Sequence, residues 1–135
     1  MSSMTASRKR SATHRRRHGL PAAYESVIVL IVILTLLAIA VPAYLGFKAR
    51  ADSAAAHANV RSAIPSIEAY FALTNSSYVG LNLAWLRQFD PGVKLNDPAA
   101  DPAKQTATSY CVSATVGGKT WYKAGPKAAL STDPC

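Results

Sequence analysis

Acidic residues are missing from the first 24 positions of this chain, and that absence divides it. Cysteine is scarce, with only Cys111 and Cys135, so a disulfide-dense scaffold and a cysteine-rich metal finger are both excluded. Histidine is equally sparse. His14 and His18 sit in the basic leader, and His57 stands alone with no second histidine or cysteine nearby, so no zinc spacing exists. No glycine-rich phosphate loop occurs and no Ser–His–Asp arrangement can be argued. The expectation is a protein that is not an enzyme, with no catalytic residue, cofactor or metal ligand. His57 is read as a solvated or interface residue, Trp121 as core packing and Tyr122 as a sheet-face contact.

The positive charge is unevenly placed. Arg8, Lys9, Arg10, Arg15, Arg16 and Arg17 precede the first acidic residue and carry most of the net charge of +8. The remaining nine basic residues face seven acidic ones, a net of +2. A nucleic-acid arm would use such a leader. The residues that follow favour a membrane instead. Val27 through Val41 is apolar except for Thr35, and Pro42-Ala43-Tyr44-Leu45-Gly46-Phe47 extends the run. Val27 to Phe47 is long enough to cross a bilayer as a helix. The leader cations place the N-terminus in the cytoplasm and everything after Phe47 outside, with Lys48 and Arg50 weighing slightly against. A cleaved secretory signal is the other use of such a segment, and Ala38-Ile39-Ala40 would be its cleavage site. However, helical periodicity continues past that point, and the run is longer than a usual signal core.

Glu25 is the residue that a plain anchor would not carry. A carboxylate within a membrane helix costs at least ~2.5 kcal/mol on insertion scales. Its working state should therefore supply a partner.

No glycine interrupts Phe47 to Thr74, and alanine is abundant there. Val60, Ile64, Ile67 and Phe71 form an apolar stripe at helical spacing. The helix is thus expected to run from about Ala22 to Thr74, on the order of 80 Å at ~1.5 Å per residue. Pro42 and Pro65 are each expected to kink it or loosen one turn. Asn75-Ser76-Ser77 ends it. Beyond lie a short helix over Asn82 to Phe89, a turn at Asp90-Pro91-Gly92, a short strand at Val93-Lys94-Leu95 and a loop from Asn96 to Thr108. A hairpin over 109–124 turns at Gly117-Gly118, pairing Val116 with Lys119, Ala114 with Trp121 and Val112 with Lys123. Val112, Ala114 and Trp121 should cover the helix stripe, leaving Cys111 on the opposite face within reach of a tail ending in Cys135. A Cys111–Cys135 bridge on the oxidising side would be worth about 3–3.5 kcal/mol in the chain-entropy model. The alternative is two unrelated thiols, one of them terminal. The fold class is α+β: a long N-terminal helix packed on a small antiparallel sheet.

Glu25 heading an apolar helix behind a basic leader, Ile39-Ala40-Val41-Pro42 and Ala43-Tyr44-Leu45 together resemble the type IV pilins. Gly117-Gly118-Lys119-Thr120-Trp121-Tyr122 and Leu130-Ser131-Thr132-Asp133-Pro134-Cys135 resemble pilins of high-GC Gram-positive bacteria. The resemblance implies a basic leader over 1–19, a membrane and filament-core half over 20–47, and an extracytoplasmic head over 48–135. It implies cleavage between Gly19 and Leu20 by a prepilin peptidase, then polymerisation with copies of itself by an assembly platform and its ATPase machinery. It also implies that Glu25 meets the free amine of a neighbouring subunit. The family places the glutamate fifth in the mature chain, whereas a cut after Gly19 makes Glu25 sixth. Counting back from Glu25 puts the cut at Leu20–Pro21, a poor bond for a protease. The expected location is the cytoplasmic membrane as a single-pass protein, then a surface filament. A minor pilin or pseudopilin of a secretion or DNA-uptake machine fits the same residues. An uncleaved, anchored extracellular binding domain is the remaining alternative.

Overall fold

Alanine-rich sequence forms one unbroken helix, α1, over Ala22–Leu73, with Gly46 inside it, in the computed structural model, which describes residues 22–135. The leader cations, Gly19 and Leu20 lie outside the described residues. The chain divides into two compact units, one ending at Ala40 and the other spanning Val41–Cys135.

In the first unit, the described residues are the N-terminal part of α1. Every one of them is exposed. In the second unit, the remainder of α1 passes through Pro42 and Pro65 without losing its helical assignment. Each proline removes one backbone donor, yet neither ends the helix. The stop comes at Leu73, where Asn75 and Ser76 take left-handed backbone angles (φ 54° and 59°). The Ser76 N–H then donates to the Phe71 carbonyl at 3.0 Å, so the helix end is capped by its own backbone.

The buried line of α1 is Ala56, Val60, Ala63, Ile67 and Tyr70. Val60 and Ile67 belong to the expected stripe, but Ile64 and Phe71 are only half-buried. The buried line thus mixes small side chains (Ala56, Ala63) with large ones (Val60, Ile67, Tyr70), while Ile64 and Phe71 fall to its flank.

The sheet contains β1 (Tyr110–Val116), β2 (Lys119–Gly125) and β3 (Leu130–Ser131), antiparallel in that order. The hairpin register is the expected one, with Val116 opposite Lys119, Ala114 opposite Trp121 and Val112 opposite Lys123. Gly117 and Gly118 both take positive φ (53° and 76°), as a two-residue turn matched to strand twist requires. Val112 and Ala114 face the core, and Cys111 lies on the other side, bonded to Cys135 with Cα atoms 6.0 Å apart. The tail that carries Cys135 also contributes β3, pairing Ser131 with Tyr122 and Leu130 with Lys123.

Between helix and sheet, α2 (Leu83–Phe89) starts at Asn82, whose side chain accepts from the Trp85 N–H at 2.9 Å. Val93-Lys94-Leu95 is not a strand. Val93 and Leu95 are buried with Lys94 exposed between them, but the Val93 N–H is taken by the Asp90 carbonyl of the preceding turn. Only the following residue reaches β1, where the Asn96 N–H donates to Ser113 O at 2.8 Å. The expected loop contains two 3-10 turns, Pro98–Ala100 and Pro102–Lys104, each following an aspartate. The loop also closes the outer edge of β1. Gln105, almost fully buried, donates its amide to Cys111 O at 2.8 Å and accepts the Cys111 N–H. An edge covered in this way offers no free template to another strand.

Tyr110 pairs across the hairpin with Gly125, and its ring occupies the space that a Cβ on Gly125 would need. Gly125→Ala is therefore expected to overpack this end of the sheet by on the order of 1–3 kcal/mol. Thermal denaturation of the detergent-solubilised protein checks this, with a melting point lowered by several degrees as the expected result.

Candidate functional site

The apolar half of α1 is the largest unsatisfied surface on the chain. Fifteen large apolar side chains from Val27 to Phe47 are between 46% and 76% exposed. Burying each is worth ~1.5–3 kcal/mol, so covering the run is worth on the order of tens of kcal/mol. Soluble proteins do not leave such a surface in water. By length and composition the segment can cross a membrane, with a mean hydropathy of 2.9 in its most apolar window.

Its polar residues behave differently from one another. The Ser26 hydroxyl donates to Ala22 O at 2.9 Å, and the Thr35 hydroxyl donates to Val32 O at 2.8 Å. Both are satisfied by their own helix and can enter an apolar medium at little cost. Glu25 stands in the first turn of α1, where a carboxylate suits the helix dipole. Among the described residues it has neither a hydrogen bond nor an ion pair. It borders a shallow groove with Ala22, Ser26, Val29, Leu30 and Ile33, on a face that is otherwise apolar.

Of the expected site residues, only Cys111 and Cys135 are brought together. Pro42 and Pro65 lie within the continuous helix, and Gly19 and Leu20 are not among the described residues. A second cluster, invisible to sequence reasoning, joins the head portion of α1 to the hairpin. The Trp121 indole N–H donates to the Ser53 hydroxyl at 2.9 Å, and the His57 ring meets Trp121 edge-on at 4.7 Å. At the hairpin tip, Gly117 lies against the Asp52 carboxylate, which pairs with Lys48 at 2.7 Å. Any side chain at Gly117 would displace Asp52. The glycine therefore serves both the turn and the docking. These pairs are far apart in sequence, and only the repeated alternation of the hairpin hinted at which face would dock.

A third cluster lies at the other end of the sheet. Tyr78 stacks on Phe71 at 4.4 Å, packs against Tyr110 at 4.8 Å and donates to Glu68 at 3.3 Å. The Tyr110 hydroxyl is buried and has no partner among the described residues. Burial first, then the Glu68 carboxylate and Tyr78, pushes the Tyr110 hydroxyl far above its ordinary range. Burial followed by Glu68 raises Tyr78 in the same direction.

Comparison of the chain with family models, with curated proteins and with solved structures found no match.

The tyrosine cluster makes stability depend on pH with a definite sign. The folded state holds phenolic protons that the unfolded chain releases near pH ~10. This contribution is complete below that pH and is lost as pH rises above it. The head is expected to weaken steeply in alkali, as followed by circular dichroism across a pH series. Tyr110→Phe removes an unpartnered buried hydroxyl. It should move the alkaline loss to higher pH and leave neutral-pH stability unchanged or higher by ~1 kcal/mol. A large loss of stability at neutral pH would show that the hydroxyl is in fact satisfied.

Proposed function

We propose that this chain is a type IV pilin-like subunit, held in the membrane by the N-terminal half of α1 and polymerised into a surface filament through that same half. The observation that carries the reading is Glu25. It is the one charged side chain between Ala22 and Phe47, and among the described residues it has no hydrogen bond or ion pair, while Ser26 and Thr35 are satisfied within the helix. In lipid, Glu25 sits near the cytoplasmic interface, where its cost is reduced. In a filament core, the carboxylate is tolerable only beside a cation. The free amine of a neighbouring processed subunit supplies that cation, and the requirement for pairing sets the stagger between copies.

The head supports the same role. A disulfide-tied tail, a covered sheet edge and a hairpin clamped to the helix give a rigid body that can be stacked repeatedly. The prepilin peptidase, assembly platform and ATPase belong to this proposal as partners. The N-terminus in the cytoplasm and the head outside are its orientation. The same features serve a minor pilin or a pseudopilin. The anchored binding domain is the reading that differs in its dependence on Glu25.

Glu25→Ala is expected to leave membrane insertion intact while reducing surface filaments at least about tenfold, the factor given by loss of ~1.4 kcal/mol of pairing per contact. Glu25→Gln should be nearly as harmful, because it keeps the shape and removes the charge. The measurement is filament count by electron microscopy beside the membrane-held pool on an immunoblot. Normal filament yield from Glu25→Ala would favour the anchored domain.

A further inference from the structure

The head carries an open groove that the filament reading does not use. Ala49, Ala54 and Trp121 line it together with Ser53 and His57, and Arg50, Lys119 and Thr132 complete the lining. Arg50 and Lys119 are exposed, and neither forms an ion pair among the described residues. No carboxylate lines the groove. The nearby Asp52 is engaged with Lys48 and turned against Gly117. The indole N–H is committed to Ser53, so Trp121 lines the groove with its polar atom already satisfied.

The position of the groove along the helix identifies its occupant. Arg50 follows Phe47, the last residue of the apolar run, by three positions, about 4.5 Å of rise. The headgroup layer on each side of a bilayer core is ~5–7 Å deep. The hairpin tip reaches the helix at Asp52, which brings Lys119 to the same end of the head as Arg50. Two unpaired cations and an aromatic ring at headgroup depth match the chemistry of an anionic lipid: a phosphate for the cations and an upper acyl chain for the apolar lining.

We propose that the Arg50–Lys119–Trp121 groove seats the headgroup of an anionic phospholipid from the leaflet in which α1 emerges. The bound lipid steadies the head on the membrane surface while the chain waits in the bilayer. This rests on the membrane-spanning part of the function proposed above and not on polymerisation.

The test uses the full chain with Trp85→Phe, which leaves Trp121 as the sole tryptophan. The protein is reconstituted in phosphatidylcholine vesicles containing a small, fixed fraction of headgroup spin-labelled lipid, either phosphatidylglycerol or phosphatidylcholine. The expected result is severalfold stronger quenching of Trp121 by the anionic lipid. Arg50→Gln and Lys119→Gln should each reduce that preference about fivefold, the effect of one basic residue at an anionic surface. Lys94→Gln removes an exposed cation elsewhere on the head and should leave the preference unchanged. Equal quenching by the two lipids, or an equal effect of Lys94→Gln, would overturn the proposal. Loss of the preference on adding millimolar inorganic phosphate would assign the groove to free phosphate and overturn the lipid assignment. Failure of the protein to float with either vesicle would overturn the membrane reading itself, a result distinct from flotation without lipid preference.

Discussion

A sheet of two seven-residue strands and one two-residue strand cannot bury a core by itself, and everything in the head follows from that shortage. The missing layer is the α1 line through Ala56, Val60, Ala63, Ile67 and Tyr70. Tyr78, Leu81, Leu86, Val93 and Leu95 then fill the space that remains around the contact. The tail is fastened from outside by the disulfide and by β3 rather than by further core. Losing the helix layer would therefore expose the whole core, whereas losing the bridge would release only the chain end.

The first unit has no such layer. Its described side chains, from Ala22 to Ala40, are mostly apolar, yet none is buried against the chain. Lipid or other copies of the same segment can supply the cover. Ser26 and Thr35 are satisfied by the helix itself and are indifferent to that choice, so under the proposed function the two covers differ chiefly in what they offer the Glu25 carboxylate.

Much of the fold was legible because it is written in local signals. Alanine content and the absence of glycine from Phe47 to Thr74 mark the later part of α1, Asn75-Ser76-Ser77 marks its end, and Gly117-Gly118 fixes a hairpin register that the structure reproduces pair for pair. The cysteine pairing was legible from the hairpin face that Cys111 occupies and from the reach of the tail that ends in Cys135. What sequence could not give was set by contacts between distant segments. The buried face of α1 runs through Ala56, Val60, Ala63, Ile67 and Tyr70, so it takes in Ala63 and leaves Ile64 and Phe71 half-buried. Val93 to Leu95 has strand-like alternation, but the Val93 backbone is spent on the Asp90 turn and on the Arg87 side chain. β3 is too short to show a pattern, and Gln105 and Lys123 became buried through carbonyl partners that no periodicity reveals. The groove at Arg50 and Lys119 joins residues far apart in sequence, and only the folded hairpin places them together.

The central claim is that the apolar half of α1 leaves the membrane as a processed chain and packs with its own copies. The N-terminal residue of the protein recovered from sheared surface filaments tests this most directly. Mass spectrometry of that fraction should find a chain that begins at Leu20 and retains Glu25. A chain found only in the membrane with its leader intact, or an exported chain that begins after Ala40, would contradict the account.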